Sequence, residues 1–252
     1  MFYPADSAKL AQMVDDYLQA ADTAPTQPAP KAIIAPHAGY IYSGPVAASA
    51  YAALRERAAQ ITRVILLGPA HRVPFYGLAA SSATHFATPL GQVPLDRNAI
   101  DQILTLPQVK VLDEAHALEH SLEVQLPFLQ TILGEFSLVP LVVGDASPAQ
   151  VSEVLEALWG GDETLIVISS DLSHYHDYAT AQRLDKATSA AIEALAPERI
   201  HHENACGRNP VNGLLALAKQ HGLHAHTVDL RNSGDTAGPR DQVVGYGAYL
   251  IQ

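Results

Sequence analysis

Residues Lys31–Pro45 read KAIIAPHAGYIYSGP. A short apolar run, Ala32–Ala35, ends at Pro36, and His37 follows at once, ahead of a glycine-containing turn and a second apolar segment. A short apolar run closed by a proline has the length and flanks of a buried strand. In open α/β sheets ligands sit in the crevice beyond the carboxyl ends of the strands. The stretch therefore predicts a strand that delivers a histidine to the open end of a sheet.

The same arrangement recurs along the chain. Arg63–Leu67, RVILL, predicts a second strand, and the GPAH after it places His71 just beyond the sheet. Two strand ends, each followed by a proline and a histidine, converge if the strands are neighbours. Further strands are predicted over Ser137–Val143, Thr164–Ile168, His224–Leu230 and the final VVGYGAYLI. Between them lie helical patterns. Asp6 or Ser7 caps a first helix with Leu10, Met13, Val14, Tyr17 and Leu18 on one face. Gly44-Pro45 opens a second, to about Arg57, with Pro45 in its first turn. Asp96 caps a short helix to about Leu104. Ser121–Leu133 has helical spacing that Pro127 kinks or interrupts. Ser147 caps a helix from Pro148 to Trp159, and two more run over Tyr178–Leu195 and from Pro210 to Lys219. Residues 19–30 read as a surface loop, and 76–95 as a β-ribbon or peripheral strands. Interleaved strands and helices predict an α/β fold, a three-layer sandwich forming a single domain over residues 1–252. Its central sheet is expected to be mixed, because no helix separates the last two strands.

Composition narrows the function. Apolar residues make up 48% and charged residues 16%, enough for a large core. A net charge of −11, from 26 acidic and 15 basic residues with no Lys/Arg cluster, argues against nucleic acid as a partner. There is no signal-peptide pattern and no apolar run long enough to span a bilayer. The expectation is a soluble, cytoplasmic protein without membrane association. Cys206 is the single cysteine, so an internal disulfide is excluded.

His37, His71, Asp171, His174 and Cys206 each fall just past a strand or in a tight polar turn. Two imidazoles and one thiolate can form a metal site with open positions, for zinc, iron or copper. Buried inert roles for single members, such as a core cysteine or a capping histidine, are the alternative. Asp171-Leu-Ser-His174 puts a carboxylate and an imidazole on one turn. They suit acid/base chemistry, with the aspartate fixing the histidine tautomer, or completion of a metal shell, or turn capping. His120 can bind substrate or stabilise developing negative charge, or sit at a helix start. Tyr40 is a candidate pocket wall, while Tyr42 and Ser43 read as structural. His85, His116, His201, His202, His221, His224 and His226 read as surface residues, and Asp235 as a turn former. No G-x-S-x-G elbow supports a serine hydrolase.

FYPAD (2–6), APHAGYIYSGPVAA (35–48), LLGPAH (66–71), EHSLEVQLPFL (119–129), SSDLSHY (169–175) and CGRNPV (206–211), with the C-terminal SGD and VVGYGAY, resemble the MEMO family, the Memo-like "AmmeMemoRadiSam system protein B" proteins. The likeness spans nearly the whole chain. The family in turn resembles class III extradiol dioxygenases, non-haem iron enzymes that cleave catechol rings. The resemblance implies that His37 and His71 are metal ligands and that Cys206 stands where the dioxygenases have a glutamate ligand. It implies pocket roles for Asp171 and His174, with His174 as the counterpart of the base, and a substrate-side role for His120. The cysteine weakens the case for ring cleavage, because a thiolate is softer and itself oxidisable. Ala70 stands where the family commonly has serine before the second histidine.

The resemblance implies a metal-dependent oxidoreductase acting on an unidentified small molecule, with iron first and copper or zinc as alternatives. A zinc-dependent hydrolase or lyase on the same scaffold, and a non-catalytic metal- or ligand-binding protein, remain competing readings. It also implies a pathway link to an AMMECR-like protein and a radical-SAM protein.

Overall fold

The computed structural model describes residues 2–21 and 29–252, so the loop read over 19–30 falls largely outside the described residues. Helix α1, Ser7–Ala20, begins where the Asp6 carboxylate accepts the Lys9 N–H, and it buries Leu10, Val14 and Leu18. Strand β1 is Ala32–Ala35, helix α2 Tyr40–Ala52 and strand β2 Arg63–Pro69. Three short strands follow, β3 Leu78–Ala80, β4 His85–Thr88 and β5 Gly91–Pro94. Then come α3 Arg97–Ile103, β6 Val109–Val111, α4 Asp113–Ala117 and α5 Leu126–Leu133. Next are β7 Ser137–Val143, α6 Pro148–Ala157, β8 Thr164–Ser169 and β9 His174–His176. The chain closes with α7 Tyr178–Glu193, α8 Arg208–Gln220, β10 Ala225–Asn232 and β11 Val243–Ile251.

The main sheet runs in the order β10-β11-β1-β8-β2-β7-β3-β6, with β9 paired to the start of β11. Strands β1, β8, β2 and β7 are mutually parallel. Their near-continuous apolar runs are what a sheet covered on both faces requires. Strand β11 is antiparallel to both β1 and β10, and β3 to β7, so the sheet is mixed. Helices α1, α2 and α5 touch one another over one face, and α3, α6 and α8 form a chain of contacts over the other, giving three layers. Among the described residues no helix is long and apolar enough to cross a membrane.

Three local expectations are corrected. Helix α2 begins at Tyr40, with Gly39 as its cap, so Pro45 lies inside the helix instead of opening it. The carbonyl four residues earlier, which Pro45 cannot bond, is that of Ile41, a residue 54% exposed, so water can satisfy it. Pro127 does not interrupt a helix: a 3-10 turn, Glu123–Gln125, precedes it and Pro127 occupies the first turn of α5. Strands β1 and β2 are not neighbours. Strand β8 lies between them, parallel to both, so all three carboxyl ends open on the same edge. That order places His37 and His71 on either side of Ser169–Asp171. The close approach of α1 to α2 needs Gly44, since a Cβ there would stand 2.5 Å from the Tyr17 ring.

Candidate metal centre

His37 leaves the end of β1 and is 2% exposed. Its backbone N–H donates to Asp171 Oδ1 at 2.7 Å, and its ring Nδ1 lies 2.9 Å from Ser169 Oγ. His71 leaves the end of β2 and reaches the surface. Both its backbone N–H and its ring Nδ1 meet the Glu119 carboxylate, at 2.7 and 2.8 Å. Glu119 also accepts the His120 and Ser121 backbone N–H groups, each at 2.9 Å. The 119–121 turn lies directly on β2: Ser121 Oγ donates to the Pro69 carbonyl, and a Cβ on Gly68 would stand 2.6 Å from that hydroxyl.

These supports bring three imidazoles together. The ligand atoms of His37, His71 and His120 lie within 4.8 Å of one another, an arrangement able to hold a metal ion. Ring centroids are separated by 5.2 Å for His37–His71, 5.4 Å for His37–His120 and 4.8 Å for His71–His120. Phe2 stacks on His120 at 4.2 Å and closes that side. His120, read from the sequence as a substrate-side group, thus stands among the potential ligands. Cys206 Sγ is 3.3 Å from His37 Nε2, which puts the thiol against this cluster.

At the imidazoles of His37 and His120 and at Glu119 the electrostatics favour lone pairs over protons. Burial, then the charge of His71, lowers His37 to about 3. Burial, then His37 and His71, lowers His120 to about 4. Burial pushes Glu119 upward, but its bonds from His71 and Ser121 prevail and hold it at about 2. An ionised carboxylate only accepts, so His71 donates from Nδ1, and in the neutral ring Nε2 is bare, as in the carboxylate–histidine pairs that support metal ligands. Burial, with the Asp171 charge second, lifts the Cys206 thiol to about 12. Imidazole nitrogens beside a thiol fit iron, copper or zinc and do not fit magnesium or calcium, which prefer oxygen.

Asp171 is buried and burial raises its pKa. It orients His37 and Cys206, accepting the His37 N–H on its carboxylate and the Cys206 N–H, at 3.3 Å, on its carbonyl. It does not fix the His174 tautomer as expected. His174 Nδ1 lies 2.8 Å from the Leu172 carbonyl, which only accepts, so Nε2 is the free nitrogen. His174 shares a cavity of about 390 Å³ with His71, His176, His202 and Cys206. A second cavity, about 650 Å³, is lined by Phe2, Glu119, His120 and Leu122.

Other assignments sort out. Tyr40 is buried and donates to the Val124 carbonyl at 2.6 Å, so it holds helices together and does not wall the pocket. His116 is half-buried, with Nε2 3.0 Å from the Ala79 carbonyl, and is not a surface residue. His202 is exposed yet lines the cavity. Asp235 bonds the Asn232 N–H across a turn. Glu119 is the functional residue that sequence reasoning missed. Its signals were adjacency to His120 and a place at the head of the EHSLEVQLPFL motif, and both read equally well as a helix start.

Acid is expected to erode the stability of the metal-free protein. His37 and Glu119 have folded pKa values of about 3 and about 2, below their ordinary 6.5 and 4.5. Each therefore contributes stability that is fully present above the ordinary value and lost as pH falls through the folded one. Asp171, raised by burial, acts with the opposite sign at low pH. The melting temperature should begin to fall below pH about 6.5 and continue downward towards about 2. His37→Gln should flatten the upper part of that decline; an unchanged profile would show that His37 is not held neutral by the fold.

Comparison with known proteins identifies the family. The Memo-like protein family model matches residues 1–250. A MEMO1 family protein of Ignicoccus hospitalis is 35% identical over 271 aligned positions, covering 98% of this chain and 94% of its own. One from Aquifex aeolicus is 36% identical, covering 97% and 94%. A solved structure titled as an uncharacterized protein, JW3007, from Escherichia coli K12 shares the fold with a TM-score of 0.53 at 13% identity, covering 85% of this chain and 98% of that one. With a family match over essentially its full length, and relatives above 30% identity over nearly all of it, the chain belongs to the Memo-like protein family.

Proposed function

We propose that the chain is a metal-dependent oxidoreductase acting on a small molecule at the edge formed by β1, β8 and β2. The observation that carries this reading is the convergence of His37, His71 and His120 within 4.8 Å, with the Cys206 thiol 3.3 Å from His37. His37 and His71 would hold the ion, with His120 or Cys206 completing the set; iron is the first choice and copper the second. Such an ion supplies one-electron exchange with a substrate or with dioxygen. The protein's own groups do the rest. Glu119 aims His71, and Asp171 fixes the backbone of His37. His174, tied through Nδ1 to the Leu172 carbonyl, offers Nε2 to the cavity as a proton acceptor.

The test is the metal content and redox behaviour of protein purified without oxygen. Iron or copper near one equivalent, lost on His37→Ala and His71→Ala and giving metal-dependent oxygen consumption or a redox-active spectrum, supports the reading. One equivalent of zinc with no redox signal overturns it in favour of hydrolysis. Failure to retain any transition metal, with the fold intact, overturns both. Cys206→Ala decides between the two completions: loss of metal assigns the thiol as a ligand, and retention assigns His120.

A further inference from the structure

We infer that Ser169 and Gln125 are positioning residues that set the tautomer of His37, leaving its Nε2 without a proton and aimed at the metal centre. The functional consequence rests on the metal reading above; the tautomer does not.

The argument is a count of hydrogens in a buried chain. Tyr51, Gln125, Ser169 and Ser121 are all fully buried, so no water can alter the pattern. Gln125 Nε2 lies 3.0 Å from the Pro36 carbonyl and 2.7 Å from Ser169 Oγ, while Tyr51 donates to Gln125 Oε1 at 2.7 Å. The Pro36 carbonyl only accepts, so the amide nitrogen must face it; the reversed amide would set two oxygens against each other. Both amide hydrogens are then committed, one to Pro36 and one to Ser169. Ser169 Oγ has one hydrogen of its own. It lies 2.5 Å from the Ser121 carbonyl, which also only accepts, and that hydrogen must go there. The remaining side of Ser169 Oγ is a lone pair. It faces His37 Nδ1 at 2.9 Å, so Nδ1 must carry the proton. In the neutral ring, Nε2 is therefore bare, and it lies 3.3 Å from Cys206 Sγ.

The chain also explains why polar side chains occupy the interior at these positions. Ser169 ends β8, the strand between β1 and β2, and Gln125 leads into α5. They act on His37 as Glu119 acts on His71, with a neutral relay in place of a carboxylate. A buried hydroxyl between two donors and one acceptor has no alternative arrangement, and the tautomer is fixed before any ion arrives.

Long-range ¹H–¹⁵N correlation on metal-free, ¹⁵N-labelled protein near neutral pH reads the tautomer directly, with His37 assigned from the spectrum of His37→Gln. The expected result is a protonated Nδ1 and a bare Nε2. A protonated Nε2 in the wild-type protein overturns the proposal whatever the metal does. Ser169→Ala should lose the single-tautomer signature of His37 and keep that of His71. Its affinity for ferrous or zinc ion should drop about 10–100-fold, the usual effect of losing an outer partner. Ser169→Ala with the wild-type His37 signature also overturns the assignment. Should that variant not fold, Gln125→Met removes the same constraint one step away and should broaden the His37 signals. A wild-type tautomer as expected, combined with no metal binding, counts against the metal reading and leaves the positioning role intact.

Discussion

Glu119→Gln is expected to weaken metal binding about 10–100-fold, with little loss of helix or strand content. The reason lies in how many donors converge on this one carboxylate. Oε1 takes the His71 ring N–H and the His120 and Ser121 backbone N–H groups, and Oε2 takes the His71 backbone N–H. A carboxylate can accept all four. A glutamine must present an NH₂ group at one of the two positions, where it meets another donor and no acceptor. Placed at the Oε2 position it repels the His71 backbone; placed at Oε1 it repels three groups at once. Either way the two-point hold on His71 is broken, at its backbone or at its ring, and an N–H is left unpaired at about 1–3 kcal/mol. Competition with a chelator of known affinity on anaerobically prepared protein measures the first effect, and denaturant titration of the metal-free protein measures the second. Affinity within about threefold of wild type would show that Glu119 serves only the turn and does not aim His71.

The sequence was most legible where one residue carries both a position and a chemistry. His37 and His71 were readable because each follows an apolar run and a proline, and strand ends place such residues on one edge. The mixed sheet was readable because the last two strands lack a helix between them. Strand order was not. Nothing in the runs at 32–35 and 63–67 says that β8 enters between them, since all three are apolar and buried. The orienting groups were harder still. Whether Asp171 bonds His174 or His37 depends on backbone conformation after β8, where Tyr175 takes a φ of 61° and His174 turns back to the Leu172 carbonyl. Ser169 and Gln125 lie inside motifs that carry the family resemblance, but nothing in those motifs gives their role. Their role arises from contacts across 132 and 89 positions of chain, to His37 and to Pro36. Residue type announced the candidate ligands, and only tertiary structure reveals what holds them in place.

Phe128→Ala should destabilise the protein by about 3–5 kcal/mol, the upper range for emptying a buried aromatic site. Phe128 is 1% exposed, at the contact between α5 and α2. Its ring stacks on Tyr51 at 5.1 Å with an interplanar angle of 3°, and meets Tyr40 at 5.1 Å and 46°. Alanine would remove both aromatic contacts, each worth about 0.5–1.5 kcal/mol beyond its buried area. Collapse is restricted, because both tyrosines are anchored at their far ends: Tyr40 donates to the Val124 carbonyl and Tyr51 to Gln125 Oε1. Those anchors tie the cavity to the centre. Tyr51, if it swings into the vacated space, pulls on Gln125, and through Ser169 on His37. The variant should therefore show a lowered denaturation midpoint together with a weaker metal affinity, though it lies outside the site. Phe128→Leu keeps most of the volume but loses both ring contacts, so it should cost about 1–3 kcal/mol, less than alanine, while holding metal at near the wild-type level. Equal losses in the two variants would mean that the ring contacts, and not the vacated volume, carry the cost. A Phe128→Ala protein that is destabilised yet binds metal as tightly as wild type would show that the hydrogen-bonded chain to His37 does not depend on the packing behind it.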